Sequence, residues 1–161
     1  MRKAFVALFA VYLALLVWVI VWKVHVPFIG RDDMREVKLV PFTPGEGYGF
    51  NDPYELLANF LLFVPLGVYL GVLGAKGKVP IIVGASLTLE VAQYVLATGS
   101  SDVTDLIVNT AGGLVGLLFA RVPPKPLAWV LGVGTVLAII AIVFVIVSFP
   151  RMPQGGGPTI V

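Results

Sequence analysis

Five apolar runs divide this chain, and their lengths leave it few ways to fold. They cover residues 4–22, 54–73, 80–97, 105–120 and 127–149, with short polar or basic turns and one longer polar connection between them. A run near twenty apolar residues matches the hydrocarbon core of a bilayer, where a backbone must satisfy its own hydrogen bonds, as a helix does. The sequence therefore predicts an all-α fold, a polytopic membrane helical bundle of about five transmembrane helices. Composition agrees: 58% of the 161 residues are hydrophobic, 12% are charged, and the mean hydropathy is +0.99. The whole of 1–161 reads as one membrane domain, with 127–149 as a peripheral, lipid-facing helix and the Gly-rich 150–161 as a disordered tail.

The ends of the runs carry the remaining local signals. Arg2 and Lys3 precede the first run as they would in a signal peptide, but the run is long and passes into Trp22-Lys23-Val24-His25 with no small-residue cleavage site. Asp52-Pro53-Tyr54-Glu55 has the form of a helix start, with a capping acid, proline at the first helical position and an acid in the first turn. Pro65 interrupts the second run and predicts a bend. The stretch 36–42, E-V-K-L-V-P-F, alternates weakly and reads as a short strand or an extended segment lying over the bundle. Lys76, Lys78, Arg121 and Lys125 lie in two short turns, whereas the turn at 98–104 has no basic residue. The positive-inside rule then places the N-terminus in the cytoplasm and the C-terminus outside. The pI near 9.0 reflects these few end charges and gives no reason to expect a nucleic-acid partner.

One stretch, 86–116, breaks the hydrocarbon pattern with S-x-x-x-E-x-x-Q and then D-x-x-D-x-x-x-N-x-x-G-x-x-x-G. Steps of three and four put Ser86, Glu90 and Gln93 on one helix face, and Asp102, Asp105, Asn109, Gly112 and Gly116 on another. Helical rise sets Glu90 about 10 Å below the end of its run, Asn59 about 9 Å and Asn109 about 6 Å. The expectation is one pocket on the extracytoplasmic side that gathers Glu90, Gln93, Asn59, Asn109 and at least one of Asp102 and Asp105. A carboxylate at such depth costs roughly 2.5–3.5 kcal/mol, which makes Glu90 a functional candidate. Glu90, Asp102 and Asp105 are the candidate catalytic groups; Asn59, Gln93, Asn109 and Ser86 are candidate ligand-binding groups.

Structural roles compete with each of these. Asp102 or Asp105 would cap the fourth helix and complement its dipole, and the amides would bridge helices. Gly112, Gly113 and Gly116 would pack against Gly67 and Gly71, faces that also offer a homo-oligomer interface. No cysteine is present, so disulfides, thiol chemistry and thiolate zinc sites are excluded. With His25 the only histidine, no Ser-His pair can be assembled. Oxygen ligands at this spacing select no metal over a hydrogen-bonded cluster, and no cofactor is expected.

The segments N-F-L-L-F-V-P-L-G (59–67), S-L-T-L-E-V-A-Q (86–93) and D-V-T-D-L-I-V-N-T-A-G-G-L-V-G (102–116), with Pro41-Phe42, resemble the VanZ-like membrane protein family over 39–120. The resemblance implies a small helical bundle and an association with low-level teicoplanin resistance. It marks Asn59, Pro65, Gly67, Glu90, Gln93, Asp102, Asp105, Asn109 and Gly112 as matching positions. The family usually carries an arginine three residues before the first Asp, where this chain has Gly99. A cationic partner would have to fold in from Arg31, Arg35 or Lys38. The favoured reading is a cell-membrane protein whose pocket binds or modifies a lipid-linked or other cell-envelope amphiphile. An intramembrane hydrolase or transferase using Glu90 as acid or base is the alternative, and a non-catalytic scaffold or partner subunit is a third.

Overall fold

Four helices and two very short strands make up the part of the chain that the computed structural model describes, residues 2–22, 29–30, 35–42 and 53–120. In order they are α1 (Arg2–Trp22), β1 (Val37–Lys38), α2 (Pro53–Val72), α3 (Lys78–Leu96), β2 (Ser101–Asp102) and α4 (Val103–Phe119). Three helices are long and apolar enough to cross a membrane, with spans Phe5–Trp22, Glu55–Val72 and Lys78–Leu96. α4, at 17 residues, is shorter, about 25 Å of rise. The fifth expected helix, 127–149, the tail at 150–161 and the capping acid Asp52 lie outside the described residues. Among those residues the count is therefore three helices of spanning length and one shorter apolar helix.

Helix boundaries follow local chemistry. Pro53 is the first residue of α2, where a missing N–H costs nothing, and Glu55 sits in its first turn. The turn into α3 passes through Gly74 and Gly77 with φ of 67° and 64°, left-handed values that an L side chain seldom adopts. α3 ends in a Schellman motif: Ala97, at φ 52°, donates to the Tyr94 carbonyl, and Thr98 donates to that of Gln93.

The helices alternate in direction. Gly67 of α2 meets Gly113 and Leu117 of α4, Gly71 meets Ala120, and Gly112 and Gly116 lie under the carbonyls of Phe60 and Val64. A Cβ at Gly67, Gly112 or Gly116 would overlap a backbone oxygen. α2 and α4 are thus in direct backbone contact and run parallel. The glycine faces expected to pack do so within the chain. α1 closes the other side through rings: Phe5, Phe9 and Tyr12 surround the fully buried Tyr69, with centroids 4.9, 4.9 and 5.4 Å away. The Tyr12 hydroxyl donates to the Leu62 carbonyl, three residues before Pro65.

The segment 36–42 is the extended strap anticipated from its alternation. Val37 and Lys38 pair in parallel with Ser101 and Asp102. The pairing partner, a strand inside the turn after α3, was not anticipated. Two residue pairs alone make a weak ladder, so side chains and helix ends hold the strap.

Candidate functional site

The polar residues of α3 and α4 gather at one end of the bundle, where α1 and α3 end and α2 and α4 begin. The C-terminus of α3 presents carbonyls with no helical partner. The connection between α1 and α2 supplies donors from far away in sequence: Arg35 Nε donates to the Tyr94 carbonyl at 3.0 Å, Arg35 Nη2 to that of Val95 at 3.1 Å, and the Gly30 N–H to that of Leu96 at 2.8 Å. The guanidinium also lies 6.0 Å from the Tyr94 ring centre. A cation at a helix C-terminus is favourable to its dipole. Arg35 is thus one cation from the long connection that folds in; its mapped bonds go to α3 carbonyls.

At the start of α4, Asp102 is the N-cap, accepting from the Thr104 N–H at 2.7 Å. Its own N–H donates to Glu90 Oε2 at 2.9 Å, and Ser101 Oγ donates to the Glu90 carbonyl at 2.7 Å. Thr104 Oγ1 accepts from the Phe42 N–H at 2.9 Å, and the Ser101 N–H donates to the Glu36 carbonyl at 2.8 Å. Glu90, Asp102 and Thr104 are all buried. A continuous network therefore runs from α3 through β2 to α4 and onto the strap.

The other expected site residues engage elsewhere. Asn109 Nδ2 donates to Ser86 Oγ at 3.0 Å, both residues fully buried, one turn below Glu90. Asn59 Nδ2 donates to Asp105 Oδ1 at 3.0 Å, joining the second turn of α2 to the first turn of α4. Gln93 Nε2 donates to the Ile20 carbonyl at 3.1 Å, where α1 has run out of helical donors. In place of one shared pocket, these residues form three further contacts between helices. Gln93 Oε1 and Asn109 Oδ1 are buried and have no hydrogen-bond partner among the described residues.

A half-open groove of about 250 Å³ lies beside the Glu90 network. Leu87, Glu90, Val91 and Tyr94 of α3 form one wall; Ser101, Asp102, Val103 and Leu106 form a second; Val37, Lys38 and Leu39 of the strap form the third. Of the expected site residues, this groove meets Glu90 and Asp102. Lys38 is the residue that motif reading left without a firm role. Its side chain is 9% exposed, with Nζ 3.9 Å from Glu36. Its signal was its place in the alternating segment, three residues before Pro41-Phe42. Among the described residues no three His, Cys, Asp or Glu side chains cluster as a metal site.

With this geometry the comparisons can be placed. The VanZ/LLP1 family model matches residues 9–124, which takes in α1 from residue 9, the other three helices, both strands and the whole network. The chain belongs to the VanZ/LLP1 family. It is similar to Protein VanZ of Enterococcus faecium, 33% identical over 116 residues, which cover 68% of this chain and 69% of that protein. No solved structure matches it. For this VanZ-family chain the matched span ends just after α4, so the apolar run at 127–149 lies beyond the shared part.

Proposed function

We propose that the chain is a multi-pass protein of the cell membrane, N-terminus cytoplasmic and C-terminus outside, whose Glu90–Asp102 groove binds or modifies a lipid-linked or other cell-envelope amphiphile. One observation carries the reading: a single groove has buried carboxyl groups in its wall and, beside them, half-exposed Leu87 and Val91 on a helix long and apolar enough to span. Burying Glu90 as mere helix glue is poorly recompensed, since interhelical polar contacts in membranes average about 0.6 kcal/mol. Gln93, Asn109, Ser86 and Asn59 hold the walls in register around it. An intramembrane hydrolase or transferase would use the same groove, with Glu90 as acid or base assisted by Asp102 or Asp105. Binding accords better with Oε2 of Glu90 and Oδ1 of Asp102, each of which holds a backbone N–H.

Glu90→Gln tests this reading. Glutamine keeps the volume and an acceptor for the Asp102 N–H, so the fold stands. Native mass spectrometry of the purified chain should show co-purified lipid falling from wild type to E90Q. Identical lipid occupancy in the two proteins sinks the reading. The orientation has its own check, because the chain has no cysteine. Single cysteines at Lys78 and Ser100 should react with an impermeant maleimide in intact cells only at position 100; reaction only at 78 reverses the topology.

A further inference from the structure

Hydrogen bonds fix the depth of the strap. Arg35, one residue before it, donates to the Tyr94 and Val95 carbonyls at the end of α3. From there the strap runs inward. The Glu36 carbonyl accepts from Ser101, Val37 and Lys38 pair with Ser101 and Asp102, and Phe42 donates to Thr104 in the first turn of α4. β2 in turn is bonded to Glu90, which lies six residues before Leu96, about 9 Å of helical rise. An extended segment therefore lies alongside the last turns of a helix of spanning length, within the reach of the bilayer.

Its outer surface does not suit water. Leu39, Val40 and Phe42 are 72%, 62% and 60% exposed. Phe42 also has φ 58°, a left-handed conformation that a bulky side chain seldom adopts. The bond from its N–H to the fully buried Thr104 holds that conformation and leaves the ring outside the bundle. In water nothing would offset such strain. The middle of a bilayer does not suit the strap either, because irregular backbone is excluded from lipid-exposed hydrocarbon. The level between the two is the boundary of headgroups and acyl chains. Trp22 at the end of α1 and Tyr94 near the end of α3 mark that level, where amphipathic rings collect.

We infer that the strap is a lipid-contacting surface. It lies in the headgroup boundary of the leaflet at this end of the bundle, with Leu39, Val40 and Phe42 inserted among the upper parts of the acyl chains. The partner is the bilayer itself. The inference rests on the membrane reading above and not on what the groove binds.

Depth-dependent quenching tests it, and the absence of cysteine makes single labels clean. The full chain carries an NBD label at Leu39→Cys, Phe42→Cys or Leu87→Cys, each variant first matched to wild type in helix content and Tm. It is placed in phosphatidylcholine vesicles that contain nitroxide lipids. A nitroxide near the top of the acyl chain should quench the labels at 39 and 42 about threefold more than one near the chain end, as for a segment seated at the interface. The order should reverse at 87, a further turn below Glu90. Aqueous iodide should quench none of the three strongly. The strap positions are both exposed, so either label carries the test if the other variant does not fold. Strong iodide quenching at 39 and 42, or a depth there equal to that at 87, overturns the inference. So does disulfide cross-linking of unlabelled F42C to a second copy, since protein would then cover the strap. If iodide reaches only the strap labels, the inference falls and the membrane reading stands; if it also reaches the label at 87, the membrane reading falls too.

Discussion

α4 is held on its two sides by opposite means. Against α2 it presents Gly112 and Gly116, and the helices approach until backbone touches backbone. Against α3 and the strap it presents Asp102, Thr104 and Asn109, and the contact is made by hydrogen bonds. At its glycines the first contact tolerates no added atom and uses no directional bond; the Asn59–Asp105 hydrogen bond joins the two helices nearer their starts. The second depends on a few polar groups that must each find a partner in a low-dielectric interior. Beside the second lies the groove. A site needs room and polar groups together, and glycine packing removes both.

Four substitutions would break or sharpen that contrast. Gly112→Val should act most strongly, because its Cβ would overlap the Phe60 carbonyl and force α2 and α4 apart. A loss of about 3 kcal/mol, the upper range for overpacking, should appear as a collapse of the monodisperse fraction on size exclusion. A well-folded G112V would mean that the glycine contact does not hold the bundle.

Ser86→Ala strands a fully buried Asn109 amide donor. About 1–2 kcal/mol should be lost, read as a lower Tm in detergent. The companion N109L, which removes the other partner and fills its volume, should recover part of that loss in the S86A background.

Asp102→Ala removes the cap on Thr104 and should cost about 1 kcal/mol, whereas Asp102→Asn, which keeps a capping oxygen, should cost a few tenths at most. If the two variants melt together, the capping account of Asp102 is wrong. Asn59→Ala should do least, about 0.6 kcal/mol for one interhelical bond. A much larger effect would place Asn59 and Asp105 among the groups that hold the fold.

The sequence by itself determined the elements that local physics governs. Hydrocarbon length set α1, α2 and α3 to within about two residues of their expected ends, because a helix in lipid must run the thickness of the bilayer, and the polar and basic turns on either side of α4 set its ends as closely. Pro53 at the head of α2 and Asp102 at the head of α4 were legible because caps act within one turn. The contact of Gly67 and Gly71 with α4 was legible because small residues four apart let helices approach. Which polar groups meet was decided only by the tertiary structure. Glu90 and Gln93 share a helix face by spacing, yet one receives the Asp102 N–H and the other caps α1 at Ile20. The choice rests on which neighbour presents an unsatisfied backbone group. Arg35 reaches α3 carbonyls some sixty residues away for the same reason, and Lys38 reaches the groove wall because β1 happens to pair with β2. Helix ends leave donors and acceptors that their own helices cannot satisfy, so the partners come from wherever the fold brings the chain back, and no local pattern records that return.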